Sequence, residues 1–69
     1  MTLDGKKTTP SRAANAIYIA FGEQSASMSW DEFADYVQIE GATDAEEQAT
    51  RLMLVSVSAR VRGILHIRK

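Results

Sequence analysis

Helix starts constrain this chain more than any other feature, and sixty-nine residues hold three of them. Thr9-Pro10 sets a cap residue before a proline at the first helical position, where the missing N–H costs nothing. Ser29-Trp30-Asp31-Glu32 has the form of a capping box. Ser29 is the N-cap, Glu32 reaches back, and Met28 and Phe33 stand at the spacing of a hydrophobic staple. Thr43-Asp44-Ala45-Glu46 repeats the box, with acids filling the first turn.

Apolar periodicity follows each start. Ala13, Ala14, Ile17, Tyr18, Ala20 and Phe21 recur at three- and four-residue spacings, and Gly22 is placed to end that helix. In the second segment Trp30, Phe33, Ala34 and Val37 share a face with Tyr36 at its margin. Asp31, Asp35 and Gln38 line another, and Gly41 is expected to end the helix. The third segment carries two apolar stripes: Ala45, Ala49, Leu52, Met53 and Val57, and beside it Leu54, Val57, Val61 and Leu65. Gly63 either ends this helix or weakens it by about 1 kcal/mol relative to Ala. Val55 to Arg62 also alternates with period two, as a half-buried strand does. Helix is the preferred reading, because the segment continues a capped start with no turn residue. Ile64 to Ile67 is a candidate short strand and Leu3-Asp4-Gly5 a candidate turn. The expected fold is all-α: one three-helix domain over 1–69, with 1–8 and 64–69 as flexible or extended ends.

Size and composition narrow the chemistry. A chain this short buries only about 60% of its unfolded surface, which leaves no room for separate cofactor and substrate domains. With no Cys and one His, a disulfide framework, a thiolate zinc site and a His-based metal cluster are excluded. Hydrophobic residues at 45% and charged residues at 25% are ordinary globular usage, which argues against wholesale disorder. The amino-terminal residues lack the apolar region of a secretory signal, and no run approaches the ~18 apolar residues of a membrane span. The expectation is a soluble, cytoplasmic chain that is not an enzyme, without a catalytic residue, metal or cofactor. His66 has no nearby Ser, Cys or carboxylate partner in sequence, and Ser56 and Ser58 lack a base. The acids at 31, 35, 44, 46 and 47 lack calcium-loop spacing and fit helix capping.

Binding is therefore the leading function class. A broad apolar third helix between two short neighbours leaves surface for a protein partner or for self-association. The candidate contact residues are Trp30, Phe33, Tyr36, Val37, Leu52, Met53 and Val57.

The run Met28-Ser29-Trp30-Asp31-Glu32-Phe33-Ala34-Asp35-Tyr36 resembles the Met-Ser-x-x-Glu-aromatic-Ala-Asp/Glu-aromatic stretch of tail assembly chaperone and minor tail proteins of long-tailed phages. In that family an acidic linker and a small-residue-rich helix follow, matching Asp44 to Arg60 here. Where the family often has a Leu-Glu-Pro-like element, this chain has Ile39-Glu40-Gly41. The resemblance covers about half the chain, Met28 to Arg62. It implies a non-enzymatic protein of the infected cytoplasm that binds tape-measure or tail-tube protein.

Charge supplies two other readings. Between Glu23 and Glu47 there are eight acids and no base, while all eight bases lie in the flanks. Lys6, Lys7, Arg12, Arg60, Arg62, Arg68 and Lys69 would hold a nucleic-acid backbone if folding gathers both ends, with the second and third helices outlining a helix-turn-helix. Against this, Asp44, Glu46 and Glu47 at the start of the presumed recognition helix repel phosphate. The other reading is an inhibitor of a host enzyme whose acids imitate phosphate charge, which requires the carboxylates to share one face.

Overall fold

The computed structural model describes residues 1–67, with side chains described as far as Gly63. It is mostly helical, and a small sheet makes it not purely all-α. Strands β1 (Thr2–Leu3) and β2 (Lys6–Lys7) precede helix α1 (Pro10–Phe21) and a 3-10 helix over Gly22–Ser27. Then come α2 (Trp30–Val37), β3 (Ile39–Glu40) and α3 (Asp44–Ile67).

The sheet is the first correction to an all-helical expectation. Asp4 and Gly5 have φ of 52° and 81°, two consecutive left-handed residues. That is the backbone of a two-residue hairpin turn of the kind Asp-Gly favours. It pairs Leu3 with Lys6 and Thr2 with Lys7. β3 adds to the other side of β1, so the order is β2-β1-β3 and all pairs are antiparallel. Residues 1–8 are thus a docked hairpin rather than a free end.

β3 also moves the end of the second helix. Gln38, at φ 61° and ψ 54°, is a left-handed C-cap whose N–H donates to the Ala34 carbonyl. The helix stops there, three residues before Gly41. Gln38 turns Ile39 into the core, and its carbonyl accepts from the Asp4 N–H at 2.9 Å.

All three helix starts form as the sequence predicts. The Thr9 hydroxyl accepts from the Arg12 N–H at 3.3 Å. The Ser29 hydroxyl accepts from the Glu32 N–H, and the Glu32 carboxylate accepts from the Ser29 N–H. Thr43 and Glu46 exchange the same pair of bonds at 3.2 and 3.0 Å. α1 ends at Gly22, whose φ is 60° and whose N–H returns to the Tyr18 carbonyl. The connection that follows is a 3-10 helix rather than an irregular loop, closed by the Ser25 hydroxyl donating to the Gly22 carbonyl at 2.8 Å.

The core is Ala13, Ala14, Ile17, Phe33, Ala34, Ile39 and Leu54, with Trp30, Met28, Phe21 and Val37 packed around it. The alanines of α1 let α3 lie close along that helix. α3 meets the hairpin end through Glu46, which holds the Met1 ammonium at 3.2 Å. It meets the far end of α1 through Ser58 and Arg62, which bond Glu23 of the 3-10 helix. α1 and α3 therefore run in the same direction, with α2 returning between their ends. α3 continues as helix through Val55–Arg62 and on to Ile67. The period-two pattern does not become a strand, Gly63 does not stop the helix, and 64–67 is helical instead of extended.

Candidate functional site

α3 has two unlike sides. Positions 46, 47, 50, 54, 57, 58 and 61 are buried or half-buried, a stripe at three- and four-residue spacing. Thr50 is fully buried at its centre; its hydroxyl donates to the Glu46 carbonyl at 2.7 Å, so the polar atom is satisfied. This is the second of the two apolar stripes in the sequence, extended toward the helix start by Thr50. Most of the first stripe faces outward.

On that outward side Leu52 is 70% exposed and Val55 67%, with Ala45, Gln48, Ser56 and Ala59 also exposed, and Met53, 44% exposed, lies at its margin. Gln48, Arg51, Leu52 and Val55 line a shallow open groove of about 330 Å³ whose surface is mainly apolar. Charged residues flank the strip: Asp44 at its start, Arg51 beside it, and Arg60 and Arg62 toward its end. Arg51 lies with its guanidinium carbon 5.4 Å from the centre of the Phe33 ring, which ties α3 to α2 and fixes one border of the groove.

The sequence-derived contact residues separate accordingly. Leu52 and Met53 are available on the outward side of α3. Tyr36 is 71% exposed and packs edge-on against Phe21, with ring centres 5.0 Å apart. Phe33 has no exposed surface. It anchors the core and stacks edge-on with half-buried Trp30 at 5.2 Å, so it does not meet a partner in the folded chain. Val37 and Val57 are half-buried on inward-facing positions. Val55 belongs to neither apolar stripe read from the sequence and so is absent from the contact set. The signal for it lies three residues after Leu52, on the side of the helix away from Leu54.

The bases are not gathered. Lys6 and Lys7 sit exposed on β2 and Arg12 in the first turn of α1. Arg60 and Arg62 lie toward the other end of α3, and Arg62 pairs with Glu23 at 3.3 Å. From Glu46, beside the hairpin, to Arg62 is sixteen positions of one helix, about 24 Å. Arg68 and Lys69 lie outside the described residues. α2 and α3 are separated by β3 rather than joined by the tight turn of a helix-turn-helix.

The acids do not lie on one element either. They are distributed over the 3-10 helix, α2, β3 and the start of α3. Glu32 and Glu46 are engaged in caps, and Glu23 accepts from Ser58 and Arg62. The backbone N–H of Thr43 and, next, the Met1 ammonium hold the Glu46 carboxyl below the usual carboxylate range, with desolvation opposing them. Among the described residues no cluster of His, Cys, Asp and Glu is placed to hold a metal ion, and no helix is long and apolar enough to cross a membrane.

The fold is a three-helix unit with a three-stranded antiparallel sheet on its amino-terminal end, and among the described residues the outward side of α3 carries an exposed apolar strip. No protein-family model, curated protein or solved structure matches the chain.

Proposed function

We propose that the chain is a non-enzymatic protein-interaction module and that the outward side of α3 is its docking surface. The observation that carries this reading is the exposure of Leu52 and Val55, side by side on a helix whose opposite side is already packed. An apolar strip with a charged rim has the anatomy of a contact surface. The resemblance of Met28 to Tyr36 to phage tail assembly chaperones supplies the partner class: apolar helical surface of tape-measure or tail-tube protein, shielded until assembly. In that role the strip on α3 takes the client, and the motif residues Ser29, Glu32 and Phe33 cap and anchor the helix behind it.

The test is a two-hybrid and pull-down comparison of the wild type with a Leu52→Glu/Val55→Glu double variant, against any tape-measure and tail-tube proteins that its source encodes. The wild type is expected to bind and the variant to lose binding while keeping its thermal transition, since both side chains are exposed. No binding by the wild type, or equal binding by a folded double variant, overturns the reading.

A further inference from the structure

We propose that the outward side of α3 receives the same side of a second copy of this chain, running antiparallel, with a two-fold axis level with residue 53. This rests on the docking surface above: the second copy covers the strip in the free chain, and a client takes its place. The argument is the order of charge along α3. Of the acids in its first turn Asp44 is the exposed one, Glu46 and Glu47 lying toward the packed side, whereas its later part carries exposed Arg60 and Arg62. A parallel pair of such helices sets acid beside acid and Arg beside Arg. An antiparallel pair sets each acidic start against a basic end.

The register follows from the same residues. With the axis at residue 53, position 44 of one copy lies level with position 62 of the other. Asp44 and Arg62 are eighteen residues apart, five complete turns, so they project from the same side of the helix. A two-fold axis perpendicular to the helices brings like sides together, which places Asp44 of each copy beside Arg62 of the other. The bond from Arg62 to Glu23 uses Nε and Nη2 donates to the Ser58 hydroxyl at 2.9 Å, which leaves further N–H groups of the guanidinium for a second carboxylate. Next to the axis Leu52 of one copy lies beside Leu52 of the other, about 3 Å apart along the helices, with Val55 of each flanking them; these are the two most exposed large apolar side chains of α3 among the described residues. Ala45 and Ala59, farther out on the same exposed side, keep the helices close. A contact of this kind uses one patch on both partners and closes at two copies.

Sedimentation equilibrium of the purified full chain reads the result. The wild type is expected to dimerise with concentration, less so as salt screens the end-to-end pairs. Asp44→Lys alone and Arg62→Glu alone should each weaken self-association by about tenfold. An equimolar mixture of the two variants should restore it, because each supplies the charge the other lacks. Orientation is read by cross-linking, which is clean in a chain with no native Cys. Under oxidation Leu52→Cys should form a disulfide-linked dimer. Ala45→Cys should not, since the two Ala45 positions of an antiparallel pair stand about 24 Å apart. Cross-linking of Ala45→Cys as readily as Leu52→Cys, or failure of the mixture to recover association, overturns the proposal. So does a wild type that stays monomeric at about 1 mM. That last result leaves the docking surface itself standing if tail-protein binding is still lost in the Leu52→Glu/Val55→Glu variant.

Discussion

Gln38 is the residue on which the helical and extended parts of the molecule turn. A left-handed backbone costs an ordinary L-residue about 1–2 kcal/mol, because Cβ crowds the following carbonyl. Gln38 holds φ 61° between α2 and β3, with its side chain exposed. Gln38→Gly is therefore expected to raise stability by about 1 kcal/mol, read as a higher urea midpoint at unchanged slope. Ser29→Ala removes one arm of the capping box and should lower stability by about 1 kcal/mol in the same measurement. Glu46 gives the chain a pH dependence. Its folded pKa is depressed, so the stabilisation it brings is complete above the unfolded value of about 4.3 and fades as pH falls through the lower folded value. The stability gap between wild type and Glu46→Gln should be constant near neutrality and close in acid. A gap that persists at pH about 2 would contradict the assignment.

At the scale of elements, legibility followed the local signals. The three starts were plain in Thr9-Pro10, Ser29 to Glu32 and Thr43 to Glu46, because capping depends on residues three apart in sequence. The sheet was not. Its strands have two residues each, too few to show alternation, and β1–β3 pairing joins Leu3 to Ile39 across the whole of α1 and α2. Only the Asp4-Gly5 turn hinted at it. The two stripes of α3 were both visible, but which one is buried depends on where α1 lies, and the Ala13–Ala14 contact that decides this is tertiary. One member of the contact set failed to reach the surface for a similar reason: Phe33 reads as an interface aromatic in sequence and becomes the centre of the core. Gly63 lies inside α3 with open space around it. Gly63→Ala should raise the far-ultraviolet helical signal, since Ala in a helix interior is favoured over Gly by about 1 kcal/mol.

As a whole the molecule measures 41 × 19 × 18 Å, with α3 setting the long dimension. Its amino-terminal sheet has two open edges, β2 with Lys6 and Lys7 and β3 with Ile39 and Glu40. Unpaired strand edges are templates on which further chains add, and natural proteins blunt them with shortness and with lysine. Here β2 is both short and doubly basic. A recruited strand would find only two residues to pair with and two positive charges to pass. Polymerisation into cross-β fibrils is closed off at that edge. Lys6→Val/Lys7→Val should accordingly shorten the lag of thioflavin-detected fibril growth at high concentration, where the native chain stays clear.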